Sequence, residues 1–490
     1  MRHSFPMNLV LSPETPPGIG LRTHLAEQLR QAVLSRSVAA DEPLPSSRLL
    51  AQTLGVSRGT VIAVYEDLCG EGYLVSVPGG GTFVAPGILT GALAAAAPAP
   101  LASEASFSPA EASAREPRIN LWPGSPSTRF HNSREWTSAW KRALSAELPA
   151  TPPPTAGLAE TRALLADHLR VARGMRCSAE DVILTAGTSD GLGLLAHALL
   201  DAGTGARVAV ENPGYRAARQ VFTRVGVEAV PVPVRDGGMD LAALERSPGA
   251  FSGVMLTPSH QYPLGGRLPI AARLAALDWA RRHDAIVIED DYDSEFRHGA
   301  QALPAIASLD DDHRVVLVGS TSKTLTPWLR CGYLVVTDPE LRGRLLAVRE
   351  DLGQPVSGVV QLALAEFLRS GGLRRHLARV GREYAHRRGL VIAALDRLTP
   401  RATLLALEGG LHATVTWSGG ASSATVVREL DRRGIRVAPL DNYAVAGGPK
   451  PGAGIVFGYG APGDLQLVTA LEQIAAVLDA LLAVGPVSRA

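Results

Sequence analysis

A stretch rich in alanine, proline and serine, from Gly87 to Pro117, divides this chain of 490 residues into a short front part and a long back part. Its tract Ala94–Pro100 reads AAAAPAP, and the stretch has neither helical nor strand periodicity, which is typical of a linker. A chain of this length also exceeds what one hydrophobic core usually serves. The sequence therefore predicts a front domain over 1–86, a linker over 87–117 and a back domain over 118–490.

Composition predicts a cytoplasmic protein without a membrane partner. No stretch approaches the roughly 20 apolar residues that a membrane helix needs, and the N-terminus lacks a secretory pattern. Cys69, Cys177 and Cys331 form neither a CxxC pair nor a disulfide framework. The formal net charge of +1 excludes no class of partner, because a small DNA-binding domain can be diluted by a neutral remainder.

The front domain has the pattern of a winged helix-turn-helix. Apolar residues at helical spacing predict a helix over Arg22–Ser37, and a capping serine precedes a second helix over Arg48–Leu54. A tight Gly-Val turn follows, and Ser57 caps a third helix. Two short apolar runs around the glycine-rich turn Pro78–Gly81 predict a hairpin of the size of a wing.

Leu44–Val84 resembles the GntR-type winged helix, because it follows the pattern LPSxRxLAxxLGVSRxTV and ends in GTFV. Since the first residues of the second helix of such a unit meet base edges, the expected partner is a double-stranded DNA operator, which would associate the protein with the bacterial nucleoid. Six arginines against seven acidic residues up to Pro86 predict only modest attraction to phosphates. The residues expected to contact DNA are Ser46, Arg48, Ser57, Arg58, Thr60, Gly80 and Gly81.

The back domain alternates short β-branched runs with longer amphipathic stretches such as Ala271–Arg282, which predicts an α/β fold with a mostly parallel sheet covered on both faces. We predict a large lobe over about 155–370 and a smaller α+β lobe over about 371–490 plus 118–150. The predicted strands are Val182–Thr185, Arg207–Glu211, Gly253–Leu256, Ala285–Glu289 and Val315–Val318 in the large lobe, and Leu411–Trp417, Arg436–Pro439 and Ile455–Tyr459 in the small lobe.

Four short motifs follow predicted strands, where an open α/β sheet usually binds its ligand. A glycine turn that leads into a helix offers amides and hydroxyls to a phosphate. The acidic run could be a divalent-metal site or a solvated loop, although no His/Asp/Glu spacing completes a set of ligands and we predict no metal. The lysine motif is not a P-loop, since the Gly-x-x-x-x-Gly-Lys spacing is missing. The motifs are Ala186–Ser189, Pro213–Tyr215, Glu289–Asp293 and Gly319–Lys323.

One cofactor, pyridoxal 5'-phosphate (PLP), would use all four motifs. The chain has only three lysines, Lys141, Lys323 and Lys450, and lysine, unlike arginine, can act as a nucleophile. PLP needs a lysine for its Schiff base and a carboxylate at its pyridinium nitrogen. Lys323 and Asp290 meet these needs, with Tyr292 at the phenolic oxygen. The groups expected at the phosphate are Ser320, Ser322, Arg330, Gly187, Thr188 and Ser189.

These motifs resemble the fold-type I aminotransferase superfamily, and together with the GntR-type front domain they resemble the MocR family of regulators. The most specific stretches are TPSHQYPLG at 257–265, EDDYDSEFR at 289–297 and STSKTLTPWLRCGY at 320–333. The resemblance implies a winged helix-turn-helix fused to an aminotransferase-like PLP domain. It further implies a Schiff base on Lys323, contact of Asp290 and Tyr292 with the cofactor ring, Tyr215 stacked near the ring, Arg330 at the phosphate, and a homodimer.

Departures from the enzyme pattern favour regulation over catalysis. Enzymes of this fold usually hold the substrate carboxylate with an arginine near a late strand, but Gly454–Tyr459 reads GIVFGY. Tyr262 replaces the asparagine of the usual Asn-Pro-x-Gly segment, and Pro153–Gly157 stands where Tyr-Gly-Asp-Pro is usual. We therefore expect a PLP-dependent transcription regulator that senses PLP or an amino compound forming an aldimine with it. An aminotransferase with an appended DNA-binding domain is the alternative.

Overall fold

The computed structural model describes residues 11–16, 19–34, 37–38, 43–70, 73–77, 81–84, 119–129, 133–203, 205–298, 303–445 and 452–482. The chain divides into two compact units, residues 1–110 and 111–490, which we call the front and back units. The predicted linker 87–117 and Gly80 of the predicted DNA interface lie outside the described residues.

Within its described residues, the front unit contains three helices and an antiparallel hairpin. Its core is built from apolar side chains of the first and third helices, including Leu25, Leu29, Val61 and Leu68. Gly55 lies in the left-handed region at φ 67°, which allows the sharp turn between the second and third helices. The elements are α1 (Leu21–Leu34), α2 (Ser47–Leu54), α3 (Arg58–Gly70), β1 (Leu74–Val77) and β2 (Gly81–Val84).

The back unit contains the remaining elements of the described chain. Its strands are β3 (Ile119–Asn120), β4 (Val182–Thr185), β5 (Arg207–Asn212), β6 (Glu228–Arg235), β7 (Gly238–Met239), β8 (Gly253–Leu256), β9 (Ile286–Asp291), β10 (Val315–Ser320), β11 (Gly332–Val336), β12 (Ala402–Leu405), β13 (His412–Trp417), β14 (Ile435–Arg436), β15 (Ala438–Pro439) and β16 (Ala453–Gly458). Its α-helices are α4 (Arg134–Leu144), α5 (Ala159–Arg173), α6 (Thr188–Asp201), α7 (Arg216–Val225), α8 (Leu241–Glu245), α9 (Ile270–Arg282), α10 (Ile306–Leu309), α11 (Thr321–Thr324), α12 (Pro339–Leu352), α13 (Gly358–Arg369), α14 (Gly372–Leu395), α15 (Ser423–Arg432) and α16 (Asp464–Leu482).

The large lobe is organised by an eight-stranded sheet in the order β4-β11-β10-β9-β8-β5-β6-β7. The pairs between β10 and β6 along this order are parallel, whereas β11 runs antiparallel to both of its neighbours. The predicted mostly parallel α/β sheet is therefore confirmed. In the β9–β10 register Asp290 is opposite Val318 and Asp291 is opposite Gly319. The carboxyl end of β9 thus lies beside the segment that leads to Lys323.

The small lobe contains an antiparallel sheet in the order β12-β13-β16-β15, and a separate two-stranded sheet in which β14 pairs with β3. The single strand predicted over Arg436–Pro439 is wrong, because the chain leaves one sheet and joins the other at the buried residue Val437. Through β3, the first described residues after the predicted linker are attached to the small lobe.

Helix α16 is long and apolar enough to cross a membrane by length and composition alone. Its Leu467, Leu471, Ile474 and Leu478 are fully buried in the core of the small lobe, where α16 packs beside α14. Packing within the back unit thus accounts for one apolar face of this helix, while its Leu465 is exposed.

Replacing Gly265 with alanine should destabilise the back unit. Gly265 has a φ of 79°, and an added Cβ would overlap the backbone of Ala406. We expect the free energy of unfolding to fall by about 2 kcal/mol or more because of backbone strain and overlap. Urea denaturation followed by tryptophan fluorescence measures this change in the back unit, because all six tryptophans lie there.

The matched control is Gly193→Ala in α6, where an added Cβ would meet nothing closer than Val221 Cγ1 at 3.8 Å. Its stability should stay the same or rise slightly, because alanine favours a helix over glycine. An equal loss of stability in both variants would contradict this account of Gly265.

Candidate functional site

The ten residues that the sequence predicts around the cofactor all line one cavity of about 450 Å³ at the carboxyl ends of the central strands. They come from five separate segments of the back unit, and the sheet brings them together. These residues are Gly187, Thr188, Ser189, Tyr215, Asp290, Tyr292, Ser320, Ser322, Lys323 and Arg330.

Lys323 lies in the short helix α11 directly after β10. Its Nζ donates a hydrogen bond of 2.6 Å to the carbonyl oxygen of Gly124. Burial lowers the pKa of the Lys323 amine below its ordinary value, and the nearby carboxylates of Asp293 and Asp290 oppose this change only in part. An amine with a lowered pKa is a nucleophile over a wider range of pH than an ordinary lysine.

Asp290 ends the buried part of β9 and is itself buried. Burial raises the pKa of its carboxyl to about 8, with further contributions from Asp291 and Asp293. Among the described residues, its Oδ1 has no hydrogen-bond partner. A buried carboxylate oxygen without a partner is costly, so this atom is suited to a cationic N–H donor inside the cavity.

The turn before α6 forms an anion-binding corner. Gly187 has a φ of 105°, a backbone conformation that favours glycine, and it lies beside the Arg330 guanidinium. The free N–H groups at the start of α6 lie beside it. Asp190, held by Arg349 at 2.6 Å, accepts a 2.9 Å hydrogen bond from the Ala186 amide and fixes the turn. Ser320 Oγ and Ser322 Oγ, which also line the cavity, are 3.0 Å apart.

Four tyrosines line the side of the cavity. The Tyr292 hydroxyl donates to the carbonyl oxygen of His260 at 2.8 Å. The Tyr262 ring packs edge-on against Tyr215, with centroids 6.3 Å apart, and its hydroxyl lies 3.2 Å from that of Tyr443. Burial raises the pKa values of these phenols, that of Tyr443 to about 12, so they remain protonated donors at neutral pH.

A buried acid, Glu211 at the end of β5, supports this wall without lining the cavity. It accepts hydrogen bonds from the Thr257 hydroxyl and from Gln261 Nε2, the latter at 3.2 Å. Burial raises the pKa of its carboxyl to about 7. These contacts hold the loop that carries His260 and Tyr262 against β5.

Several residues that line the cavity could not be predicted from the sequence. Trp122, Pro123 and Gly124 follow the predicted linker in a stretch without a recognisable motif. His412 and Tyr443 come from the small lobe, where nothing local distinguishes them from core residues. A tryptophan, a proline and a glycine in succession are a weak signal for a turn, and they give no indication of a binding site.

In the front unit, most of the predicted DNA-contacting residues lie at the N-terminal ends of α2 and α3. Ser46 Oγ caps α2 by accepting from the Leu49 amide, and Ser57 Oγ accepts from the Thr60 amide at 3.0 Å. Arg58 Nε lies 3.3 Å from Ser47 Oγ, which ties the first turn of α3 to α2. The other predicted residues, Arg48 and Gly81, lie in the first turn of α2 and at the start of β2.

Comparison with known proteins gives matches to two family models. Residues 118–449 match aminotransferase class I and II, and residues 21–84 match the bacterial regulatory proteins of the gntR family. The chain is similar along nearly its whole length to the HTH-type pyridoxine biosynthesis transcriptional regulator PdxR of Corynebacterium glutamicum, with 39% identity covering 95% of this chain and 97% of that protein.

It is also 33% identical to the probable rhizopine catabolism regulatory protein MocR of Rhizobium meliloti, covering 90% of each chain. Among solved structures, it is similar to the α-aminoadipate aminotransferase LysN of Thermus thermophilus, complexed with N-(5'-phosphopyridoxyl)-L-leucine. That similarity has a TM-score of 0.66 and 26% identity, covering 74% of this chain and 93% of that one.

The residues of the cavity fit PLP. The Asp290 oxygen without a partner suits a protonated ring nitrogen, the open corner at Gly187 suits a phosphate, and the Lys323 amine suits an aldehyde. All three requirements are met within a single cavity.

The lowered pKa of Lys323 predicts unusual reactivity. Because the amine loses its proton at a lower pH than an ordinary lysine, its acetylation by acetic anhydride should reach half its maximal rate at a lower pH than that of Lys141, the exposed lysine of α4. Peptide mass spectrometry after brief labelling over a pH series measures both sites in one sample. A Lys323 profile at the same pH as that of Lys141, or above it, would contradict the prediction.

Proposed function

We propose roles in cofactor binding for individual residues of this chain, which belongs to the MocR family of GntR-type regulators with an aminotransferase-like domain. The protein is a DNA-binding transcription regulator with PLP as its cofactor. One observation carries the proposed residue roles: Lys323 and Asp290 line the same cavity. The Asp290 Oδ1 atom has no hydrogen-bond partner among the described residues. We assign the capture of the cofactor to Lys323 and its orientation to Asp290.

Lys323 provides an amine at the centre of the cavity. Bound PLP supplies an aldehyde that condenses reversibly with an amine. Desolvation favours the neutral form of Lys323, and the Gly124 carbonyl accepts a hydrogen bond from Nζ and so fixes the direction of the amine. The nitrogen that would capture the aldehyde is the same Nζ that the Gly124 carbonyl holds.

Asp290 and the turn before α6 orient the cofactor at its two ends. Asp290 holds a proton at the ring nitrogen through its buried Oδ1, and this charge pairing offsets the cost of burying the carboxylate. At the other end, Arg330, the amides of α6 and the hydroxyls of Ser320 and Ser322 bind the phosphate.

Occupancy of the cavity is proposed to control the DNA-binding front unit. The segment that contributes Trp122–Gly124 to the cavity is preceded by β3, and β3 follows the predicted linker to the front unit. An effector, either PLP itself or an amino compound that condenses with it, shifts the protein between states only through a difference in affinity for them. We propose that the hydrogen bond from Lys323 to Gly124, four residues after β3, provides such a difference.

A cytoplasmic homodimer is the proposed assembly. Trp328, next to Pro327 of the cavity wall, has 91% of its surface exposed in the single chain. A large aromatic side chain with this exposure is typical of a protein–protein contact. Two front units in one dimer would read two half-sites of an operator.

Turnover as an aminotransferase is the alternative. β16, in the region where enzymes of this fold usually place the carboxylate-binding arginine, reads AGIVFG and has no arginine. Steady conversion of an amino acid and a keto acid by the purified protein would establish this alternative, and a single half-turnover would not.

Lys323→Ala should uncouple DNA binding from PLP. DNase footprinting on the natural upstream region should show an occupancy that changes with PLP for the wild-type protein and stays constant for Lys323→Ala, because the variant lacks the amine. Lys141→Ala is the matched control and should respond like the wild type. A full PLP response in Lys323→Ala would refute the proposed role of this lysine.

Arg58→Ala should weaken operator binding about fivefold to a hundredfold, since one arginine contact to a base or phosphate contributes about 1–3 kcal/mol. Arg22→Ala removes the same charge from the same unit and breaks only an exposed ion pair with Asp67, so it should change affinity less than about twofold. Titration by fluorescence anisotropy at fixed salt measures both. Equal losses would indicate a general charge effect and contradict a specific role for Arg58.

A further inference from the structure

Behind Tyr292 lies a buried acid–histidine pair that has no role in the function proposed above. The side chains of Asp293 and His260 are 1% and 2% exposed, and His260 Nδ1 lies 2.8 Å from Asp293 Oδ2. The pair is part of neither the phosphate corner nor the contact of Asp290 with the ring. A buried acid so close to a cofactor lysine is expensive to retain for packing alone.

We propose that Asp293 is a positioning residue of the cofactor site, which acts through His260 to fix the Tyr292 hydroxyl and supplies a second negative charge for the Lys323 nitrogen. This inference rests on the proposed capture of PLP by Lys323. It adds a second carboxylate, besides that of Asp290, that influences the protonation of the Lys323 nitrogen.

The hydrogen-bond pattern defines the orientation of His260. A carboxylate can only accept, so Nδ1 donates to Asp293. The Tyr292 hydroxyl then donates to the His260 carbonyl at 2.8 Å rather than to Nδ1, which is 3.2 Å away. The rings of His260 and Tyr292 are stacked, with 23° between their planes. Asp293 therefore holds the histidine, and the histidine holds the tyrosine.

The small lobe provides space for this carboxylate. An added Cβ at Gly410 would overlap Asp293 Oδ2 and come within 2.8 Å of the His260 ring. Gly410 has a φ of 69°, and its carbonyl accepts from Tyr459 at 3.1 Å and lies 3.0 Å from His298 Nε2. Because Gly410 has no Cβ, the small lobe packs directly against Asp293 without displacing its carboxylate.

A metal ion is a weaker explanation of the same cluster. His260, Asp293 and His412 have potential ligand atoms within 4.8 Å of one another. However, Nε2 of His412 lies 3.2 Å from the Pro263 carbonyl, and His260 Nδ1 lies 2.8 Å from Asp293 Oδ2. One nitrogen of each histidine and one oxygen of Asp293 are thus engaged within the protein, and His260 Nε2 is the buried nitrogen that has no partner among the described residues.

Charge supports the assignment as well as geometry. Asp293 is the acid that most opposes the lowering of the Lys323 pKa by burial, ahead of Asp290. Burial keeps His412 neutral by lowering its pKa well below the ordinary value, so His412 does not cancel the charge of Asp293. On the side of the PLP cavity and the small lobe, the titratable groups around the pair are Asp290, Tyr292, Tyr262, His298, His412 and Tyr459. On its other side, the charged groups that line a second cavity with the pair are Arg173, Arg267, Arg273, Arg297 and Glu408.

The test is the pH dependence of the visible absorption of the PLP-loaded full-length protein. Asp293→Asn keeps an oxygen that accepts from His260 but removes the charge. Without that charge, the protonated form of the Lys323 nitrogen is less stable. The pH midpoint, at which the absorption change is half complete, should therefore fall by about one unit, which is the smaller end of the pKa shift that a nearby opposite charge causes.

Glu295→Gln is the matched control. Glu295 lies on the same segment as Asp293, pairs with His168 at 2.8 Å and does not line the cavity, so the substitution disrupts a similar acid–histidine pair away from the cofactor site. Its midpoint should equal that of the wild type. If Asp293→Asn does not fold, Gly410→Ala replaces it, because crowding displaces the carboxylate and should shift the midpoint in the same direction.

An unchanged midpoint in the folded Asp293→Asn variant, or in Gly410→Ala if it is the one used, would overturn the inference. Equal shifts in Asp293→Asn and Glu295→Gln would overturn it too, because they would indicate general loosening. Stoichiometric metal in the purified protein, lost in Asp293→Asn, would assign the pair to a metal site instead. Failure of the wild-type protein to gain visible absorption with PLP would refute the proposed function itself, which is a distinguishable result.

Discussion

The cavity depends on one electrostatic constraint, the buried Asp290 carboxyl and the partly buried Lys323 amine that line it together. Among the described residues, Asp290 has an oxygen without a partner, and Lys323 has only the Gly124 carbonyl as a hydrogen-bond partner. Neither charge is stable in such surroundings unless it is neutralised or paired. The parallel register of β9 and β10 imposes this arrangement, because it fixes the end of one strand beside the end of the other. A ligand with a cationic nitrogen and an aldehyde satisfies both groups.

Much of the site could be predicted from the sequence, because motifs after parallel strands meet at the same edge of a sheet. Asp290, Lys323 and the Gly187 turn are positions of this kind. The contact between Lys323 and Gly124 could not be predicted, since it joins residues 199 positions apart and Gly124 lies in no recognisable motif. The pairing of Asp293 with His260 was hidden for a similar reason, because the acidic run gave no indication of which carboxylate faces the cavity.

The fold shows the same division between local and long-range information. Strands with continuous β-branched or aliphatic runs, such as Val182–Thr185 and Gly253–Leu256, have the predicted bounds. β6 was not predicted because Pro231 and Pro233 interrupt it, and β11 was not predicted because its antiparallel pairing depends on two distant strands. The change of sheet at Val437 depends on tertiary packing, which no local pattern reports. Local patterns define elements, and long-range packing decides how they pair.

The central claim is that Lys323, among the three lysines of the chain, forms the covalent bond with PLP. The most direct measurement is borohydride reduction of the PLP-loaded protein, followed by proteolysis and peptide mass spectrometry. We predict the pyridoxyl mass on the peptide that contains Lys323, at close to one label per chain. A label mainly on the peptides of Lys141 or Lys450, or no label on a protein that still binds DNA, would contradict this claim.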